Sequence, residues 1–291
     1  MQRITRASHT LTCYPEEANF LLLSDLHWDN PKCNRDLLER HLRQARKRGA
    51  KVLVNGDFFC LMQGKGDPRK SKDDIRPEHN TAKYLDDLVE DAIEWWGRYA
   101  DVLSYIGYGN HETSIIKFQE TDVLERFVKG YNRAHSDANL ALGGYGSWLT
   151  IMVRRATKSP RIIPFRIHHY HGSGGGGPVT KNMIQHQRQA AMIEGADLVW
   201  LGHTHDYFYT HFPKHLISNQ GTPGIKTVHF LQTPTYKEEF QDRHHGWHVE
   251  RGGGPKPLGG SWLTIRPRRV KIDELDYWRL EATFIPTDTA W

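Results

Sequence analysis

Five apolar runs in this chain each lead into a turn that carries metal-ligating side chains. No other feature constrains the fold as strongly. Residues 19–24 (NFLLLS) lead into Asp25-Leu26-His27, and residues 51–55 (KVLVN) into Gly56-Asp57. Residues 102–106 lead to Gly109-Asn110-His111-Glu112, residues 162–170 to His171-Gly172, and residues 197–201 (DLVWL) to Gly202-His203-Thr204-His205. Unbroken apolar runs suit strands covered on both faces. In open α/β sheets, binding sites lie beyond the carboxyl ends of the strands. Blocks placed there can meet, although Asp25 and His205 stand far apart in the chain.

Between the strands the pattern changes to a helical period. Asn34 is a candidate N-cap for a helix over 34–48, with Leu37, Leu38, Leu42 and Ala45 on one face and Gly49 after the last turn. Similar stripes predict helices over 81–99 and 122–134. A fourth helix is expected over 181–194, capped by Thr180 and closed by Gly195. Residues 145–153 and 162–170 read as strands around a basic turn. Residues 206–291 read as strands and long loops, including strands at 262–265 and 277–284. Without a clear linker, the expectation is one domain spanning 1–291, with the motif-bearing core at 19–206 and C-terminal strands and loops at 207–291.

Composition narrows the class. With 291 residues, 38% of them hydrophobic, the chain can fill a sizeable core. It has no apolar run of about 18 residues, so no membrane span is expected. Its N-terminus lacks the apolar centre of a signal peptide. Cys13, Cys33 and Cys60 are odd in number and lack CxxC spacing. This reads as reduced thiols and a cytoplasmic protein. A formal charge of +5 favours polyanionic partners, though only weakly.

Together the blocks supply carboxylates, an amide oxygen and several imidazoles. Such mixed donors suit Mn2+, Fe or Zn2+ rather than Ca2+. A carboxylate shared by two cations offsets their repulsion at about 3.5–4 Å, and water between them ionises near neutral pH. The expected pair is Mn2+ first, with Fe and Zn2+ as alternatives.

Asp-x-His, Gly-Asp, Gly-Asn-His-Glu, His-Gly and Gly-His-x-His, in that order over residues 19–206, resemble the calcineurin-like metallophosphoesterase superfamily. The resemblance implies a four-layer α/β/β/α sandwich with a dinuclear metal site at the C-terminal ends of the strands. It implies that Asp25, His27 and His205 hold one metal, that Asn110, His171 and His203 hold the other, and that Asp57 bridges both. His111 would face the substrate and serve the leaving oxygen as the catalytic acid. The implied reaction is hydrolysis of a P–O ester by a metal-bridging hydroxide.

The second block departs from the GDxxDRG of the protein phosphatase branch. Residues 56–61 read GDFFCL, which argues against that branch. Cys60 stands where an acidic residue would orient His111. The partner of His111 therefore stays open, between Glu112 and a carboxylate not placed. Glu112 itself reads as structural support, and His168 and His169 as strand residues.

Several features bear on the substrate. Trp28 follows His27 and is expected to line the site. Gly174 and Gly175 precede a helix start and are candidates to bind phosphate through backbone N–H groups, although a flexible turn also explains them. Lys65, Arg69, Lys70, Lys72 and Arg76 form either a solvated loop or a phosphate contact. Arg154, Arg155, Lys158 and Arg161 form a basic hairpin, and Arg266, Arg268, Arg269 and Lys271 a second basic cluster. The leading expectation is a phosphodiesterase or nuclease on nucleic acid or nucleotides. The alternatives are a phosphomonoesterase or small-nucleotide hydrolase and, from another class, a non-catalytic scaffold of the same fold. The partners expected are a phosphate ester, with nucleic acid as the polymeric case, and no membrane.

Overall fold

The computed structural model describes residues 1–5, 7–13, 17–62, 74–154, 162–175, 177, 179–180, 182–217, 221–240, 252–272 and 275–288. Five of the strands foreseen lie in one sheet: β3 (Ala18–Leu23), β4 (Lys51–Asn55), β5 (Leu103–Gly107) and, toward the C-terminal end of the chain, β12 (Ser261–Ile272) and β13 (Leu275–Pro286). β3, β4 and β5 are parallel, β6 (Ala141–Leu142) extends them, and β12 runs antiparallel to β3. β13 forms the edge, giving the order β13-β12-β3-β4-β5-β6.

The second sheet has the order β1-β2-β7-β8-β9-β11-β10. Its strands are β1 (Gln2–Thr5), β2 (Ser8–Cys13), β7 (Gly146–Arg154), β8 (Ile162–Tyr170), β9 (Leu198–Leu201), β10 (Phe208–Ile217) and β11 (Pro223–Gln232). β7 shows why it is a strand: buried and half-buried residues alternate along it, with Leu149, Ile151 and Val153 turned inward. These meet Phe20, Leu22, Leu53 and Tyr105 of the first sheet in a shared core. Burying each large apolar side chain there is worth about 1.5–3 kcal/mol.

Helices cover the outer faces. α1 (Arg35–Lys47), α2 (Tyr84–Gly97) and α4 (Val123–Ala134) pack on the first sheet in the largest apolar cluster. Asn34 caps α1 by accepting the Leu37 N–H at 2.9 Å, and Asp122 caps α4 by accepting the Glu125 N–H at 2.9 Å. α5 (Met183–Met192) lies on the second sheet, where Ala190 and Ile193 pack near Val199, Val228 and Phe230. The layers are therefore helix, sheet, sheet, helix, the α/β/β/α sandwich expected.

Four elements, α3 (Asn110–Gln119), β1, β2 and α5, differ from the sequence reading. α3 was not foreseen, because its only buried residues are Glu112 and Ile115. β1 and β2 were missed because β1 is wholly exposed and carries no apolar pattern. α5 starts at Met183, not after Thr180. Asn182 sits at φ 67° and its side-chain amide binds Gln232 Oε1 at 2.8 Å, so the chain is not helical before Met183.

Candidate metal centre

Each predicted block lies just beyond a strand of the two sheets, and backbone hydrogen bonds join neighbouring blocks. The Asp25 N–H donates to the Gly56 carbonyl at 3.1 Å, and the His27 N–H to the Asp57 carbonyl at 3.0 Å. The Gly202 N–H donates to the His171 carbonyl at 2.8 Å. Asp25 accepts the His203 N–H at 2.9 Å, and Asp57 accepts the His111 N–H at 3.0 Å.

The side chains converge in two groups. Asp25, His27 and His205 offer ligand atoms within 4.8 Å of one another, and Asp57, His171 and His203 do the same. His171 Nε2 lies 3.2 Å from Asp57 Oδ2 and 3.9 Å from Asp25 Oδ1, so the two groups adjoin. Asn110 Oδ1 is 2.8 Å from His203 Nδ1. Asp25, His27, Asp57 and His171 are buried, while His203 and His205 are partly exposed. The structure thus brings all seven expected ligands together, with His111 Nε2 4.0 Å from Asp57 Oδ2.

The backbone at these positions is unusual. Asp25, His27, Asp57, His203 and His205 all have positive φ, between 47° and 74°. Non-glycine residues rarely adopt this conformation, at a cost on the order of 1–3 kcal/mol each. The glycines of the blocks have a steric purpose. A Cβ on Gly109 would stand 2.1 Å from Asp57 Oδ1, and one on Gly56 2.4 Å from His171 Nδ1.

Charges in the pocket fit cations. Burial pushes His27 well below its ordinary range, and the neighbouring His111 adds to this. Burial also lowers His203, with His171 contributing. Both imidazoles are therefore in the neutral, metal-ligating form. Burial disfavours charge on His171, but Asp57 and then Asp25 outweigh it and push its pKa up to about 10. Burial disfavours charge on Asp57 as well, yet His171 and His111 hold its carboxyl well below the usual range. The anionic Asp57 thus lies among the neutral His27 and His203 and a His171 whose proton a bound metal ion would displace, a donor set that suits transition-metal ions.

Apart from Glu112, already read as structural support, the supporting residues came to light only in the structure. Asn55 accepts through its backbone carbonyl from His171 Nδ1 at 2.8 Å, which leaves Nε2 to face Asp57. Its side-chain oxygen is 2.9 Å from Nδ1 of His169, whose other nitrogen meets the Tyr105 hydroxyl at 2.5 Å. His169 is thus a core residue, and burial lowers its pKa to about 3. Glu112 accepts the N–H groups of Gly109 at 2.7 Å, Phe59 at 2.9 Å and Asp57 at 3.2 Å. It therefore ties the third block to the second and does not orient His111. His111 Nδ1 instead meets the backbone carbonyl of Cys60 at 2.5 Å. No sequence motif marks a carbonyl, so that partner was not legible.

Three substrate expectations need correction. Trp28 does not line the site. It is fully buried on the helix side, with the Arg35 guanidinium 3.8 Å above its ring and Phe59 and Trp95 against its edges. His27 faces the metals, and the next side chain turns into the core. α5 starts at Met183 and not after Thr180, so the exposed Gly174 and Gly175 do not lead straight into its first turn, although the Gln185 side chain reaches the neighbouring Ser173 carbonyl at 3.4 Å. The strand-borne basic residues lie at the wrong end. Tyr170, beside His171, pairs with Gly146, whereas Arg154 closes the far end of β7. At about 3.3 Å per residue, that places Arg154 roughly 25 Å from the metal end. Ser261 pairs with Leu22 near the site, and Arg266 to Lys271 continue past Ala18 away from it. Lys65, Arg69, Lys70, Lys72, Arg155, Lys158 and Arg161 lie outside the described residues, and Arg76 binds the Cys33 carbonyl at 3.3 Å.

No curated protein matches the chain. A solved structure of vacuolar protein sorting 29 from Cryptosporidium parvum is similar at 13% identity and a TM-score of 0.37, over 93% of this chain and 99% of that one. The calcineurin-like phosphoesterase family matches residues 18–207, spanning all five ligand blocks, and the chain belongs to that family.

Proposed function

We propose that the chain is a metal-dependent phosphoesterase that hydrolyses P–O ester bonds at the centre formed by Asp25, His27, Asp57, Asn110, His171, His203 and His205. One observation carries this reading: six of the donors close into two adjoining groups, with the seventh, Asn110, against His203. Asp25, His27 and His205 would hold one ion, Asn110, His171 and His203 the other, with Asp57 between them. When bound, the ions supply the nucleophile and the positive charge that a phosphoryl transition state needs.

The protein's own residues do the rest. His111 presents Nε2 on the Asp57 side of the centre, because its Nδ1 is engaged by the Cys60 carbonyl. From there, as the imidazolium, it gives its Nε2 proton to the departing ester oxygen and keeps the Nδ1–H on the Cys60 carbonyl. The buried walls around Asp57 and His27 exclude bulk water, which strengthens every charge–charge contact with the phosphate.

The substrate class proposed is a phosphodiester, in nucleic acid or a nucleotide, on the basis of the positive net charge. The basic strand residues give it no support, since they lie away from the metal end. A phosphomonoester is the alternative. We also read 1–291 as one domain, since β12 from the C-terminal region pairs with β3. No described helix is long and apolar enough to cross a membrane. The buried, unpaired Cys33 and Cys60 support a cytoplasmic setting.

The test combines metal analysis with turnover. Purified protein should carry close to two ions per chain and hydrolyse bis-p-nitrophenyl phosphate, with chelation abolishing turnover and Mn2+ restoring it. Faster turnover of p-nitrophenyl phosphate than of any diester or polymer would favour the monoesterase. Bound metals without turnover of either ester would point to a non-catalytic scaffold.

A further inference from the structure

His111 is oriented by a backbone carbonyl, and a peptide group holds a proton donor in place only if it is itself held. The Cys60–Leu61 peptide is held by a buried carboxylate. Asp29 is 1% exposed. One of its oxygens accepts the Cys60 N–H, and the other accepts the Leu61 N–H at 2.9 Å and the Tyr84 hydroxyl at 3.1 Å. Leu61 sits at φ 54°, a backbone state that an apolar side chain does not choose unaided. The Asn30 side-chain amide reaches Cys60 Sγ at 3.2 Å and steadies the same residue. The turn therefore places three backbone groups together: two N–H groups on Asp29, and the Cys60 carbonyl on His111 Nδ1.

We propose that Asp29 is a positioning residue for His111, acting through the Cys60–Leu61 peptide. A carbonyl oxygen only accepts, so the contact keeps hydrogen on Nδ1 in both the neutral ring and the imidazolium, and the proton the imidazolium gives up is the one on Nε2, which faces the ester. A carboxylate placed directly on Nδ1 would do the same with a full charge. Here the charge is moved back by one peptide group, and the imidazole meets a dipole. Asp29 touches no predicted ligand atom, and Tyr84 comes from α2, on the helix side of the first sheet. The orientation of the acid is thus built from the core outward. This inference rests on the phosphoesterase reading for its catalytic consequence, but not for its structural one.

The experiment therefore has two arms, using the full chain. The first records the imidazole 15N shifts of His111 in zinc-loaded and metal-free protein. Wild type should show the Nδ1–H form, whereas Asp29→Asn, which puts an amide donor against a backbone N–H, should show a mixture of the two forms. The second compares aryl phosphate esters of rising leaving-group pKa. Asp29→Asn should slow esters with poor leaving groups about tenfold, within the contribution of a general acid. It should leave p-nitrophenyl esters, KM and metal content nearly unchanged. If Asp29→Asn does not fold, Tyr84→Phe removes one bond from the same carboxylate and should show both effects in smaller measure. An unchanged His111 tautomer in a folded variant overturns the proposal. So does a rate loss equal for all leaving groups. Absence of turnover in wild type would sink the phosphoesterase reading alone, since the 15N arm still decides whether Asp29 orients His111.

Discussion

His27 and His205, 178 positions apart in the chain, bring their Nε2 atoms to 3.2 Å. Both residues hold left-handed backbone to do so, at φ 47° and 59°. Two lone pairs directed at one cation would make the same approach, and the strained backbone then preorganises the proposed site.

Under the proposed arrangement Asp57 is shared by the two ligand groups, so its loss should reach both. Asp57→Asn should reduce the metal content from about two ions per chain to one or none, and turnover to background. Elemental analysis and a diesterase assay on the same sample check this. Retention of both ions would show that Asp57 does not bridge.

His111 should behave differently. His111→Ala should keep both ions and slow turnover by about 10²–10⁴-fold, the usual contribution of a general acid. The loss should shrink for esters with good leaving groups. An unaltered rate would remove His111 from the chemistry.

Gly109 has ordinary φ, −113°, so alanine is permitted by its backbone. The obstacle is tertiary, since the added Cβ would strike Asp57 Oδ1. Gly109→Ala should therefore fold but bind metal at least about tenfold more weakly, the range seen when groups supporting a metal ligand are disturbed. Titration with Mn2+ under competition by a chelator measures it.

His186 links stability to pH. It is fully buried, 3.2 Å from Gln232 Oε1, and burial lowers its pKa to about 4. The unfolded chain binds a proton there near pH 6.5 and the folded protein does not. Its contribution is therefore present above pH 6.5 and lost as the pH falls toward 4, on the order of 3 kcal/mol in all. Urea unfolding of metal-free protein at pH 7 and pH 5 should show a smaller pH difference for His186→Phe than for wild type. An identical difference would mean that the imidazole is not held neutral.

Gln232 shows why such links escape a linear reading. Its amide nitrogen donates to the Gly202 carbonyl at 3.0 Å and to Thr204 Oγ1, while its oxygen accepts from Asn182 and His186. It fastens the His203–His205 turn to the start of α5. In sequence it is one glutamine at the end of a β run, with nothing to distinguish it.

What the order of residues determined by itself was local and periodic. Apolar runs long enough for two-faced burial marked β3, β4 and β9; a side-chain cap at Asn34 marked a helix start; and the five ligand blocks, through the family they resemble, named the seven expected donors and His111. These signals are legible because strand burial, helix capping and metal chemistry each demand particular residue types at short spacing. What only the tertiary structure decided was orientation and long-range contact. Trp28 went to the core and His27 to the site, though they are adjacent. The basic strand residues fell at the far end of the sheets. Cys60 contributed a carbonyl, and Asp29 and Glu112 served the backbone. The reason is physical. Any residue has a carbonyl and an N–H, so partners of that kind leave no mark in the side-chain code. They become specific only when packing fixes which peptide groups meet.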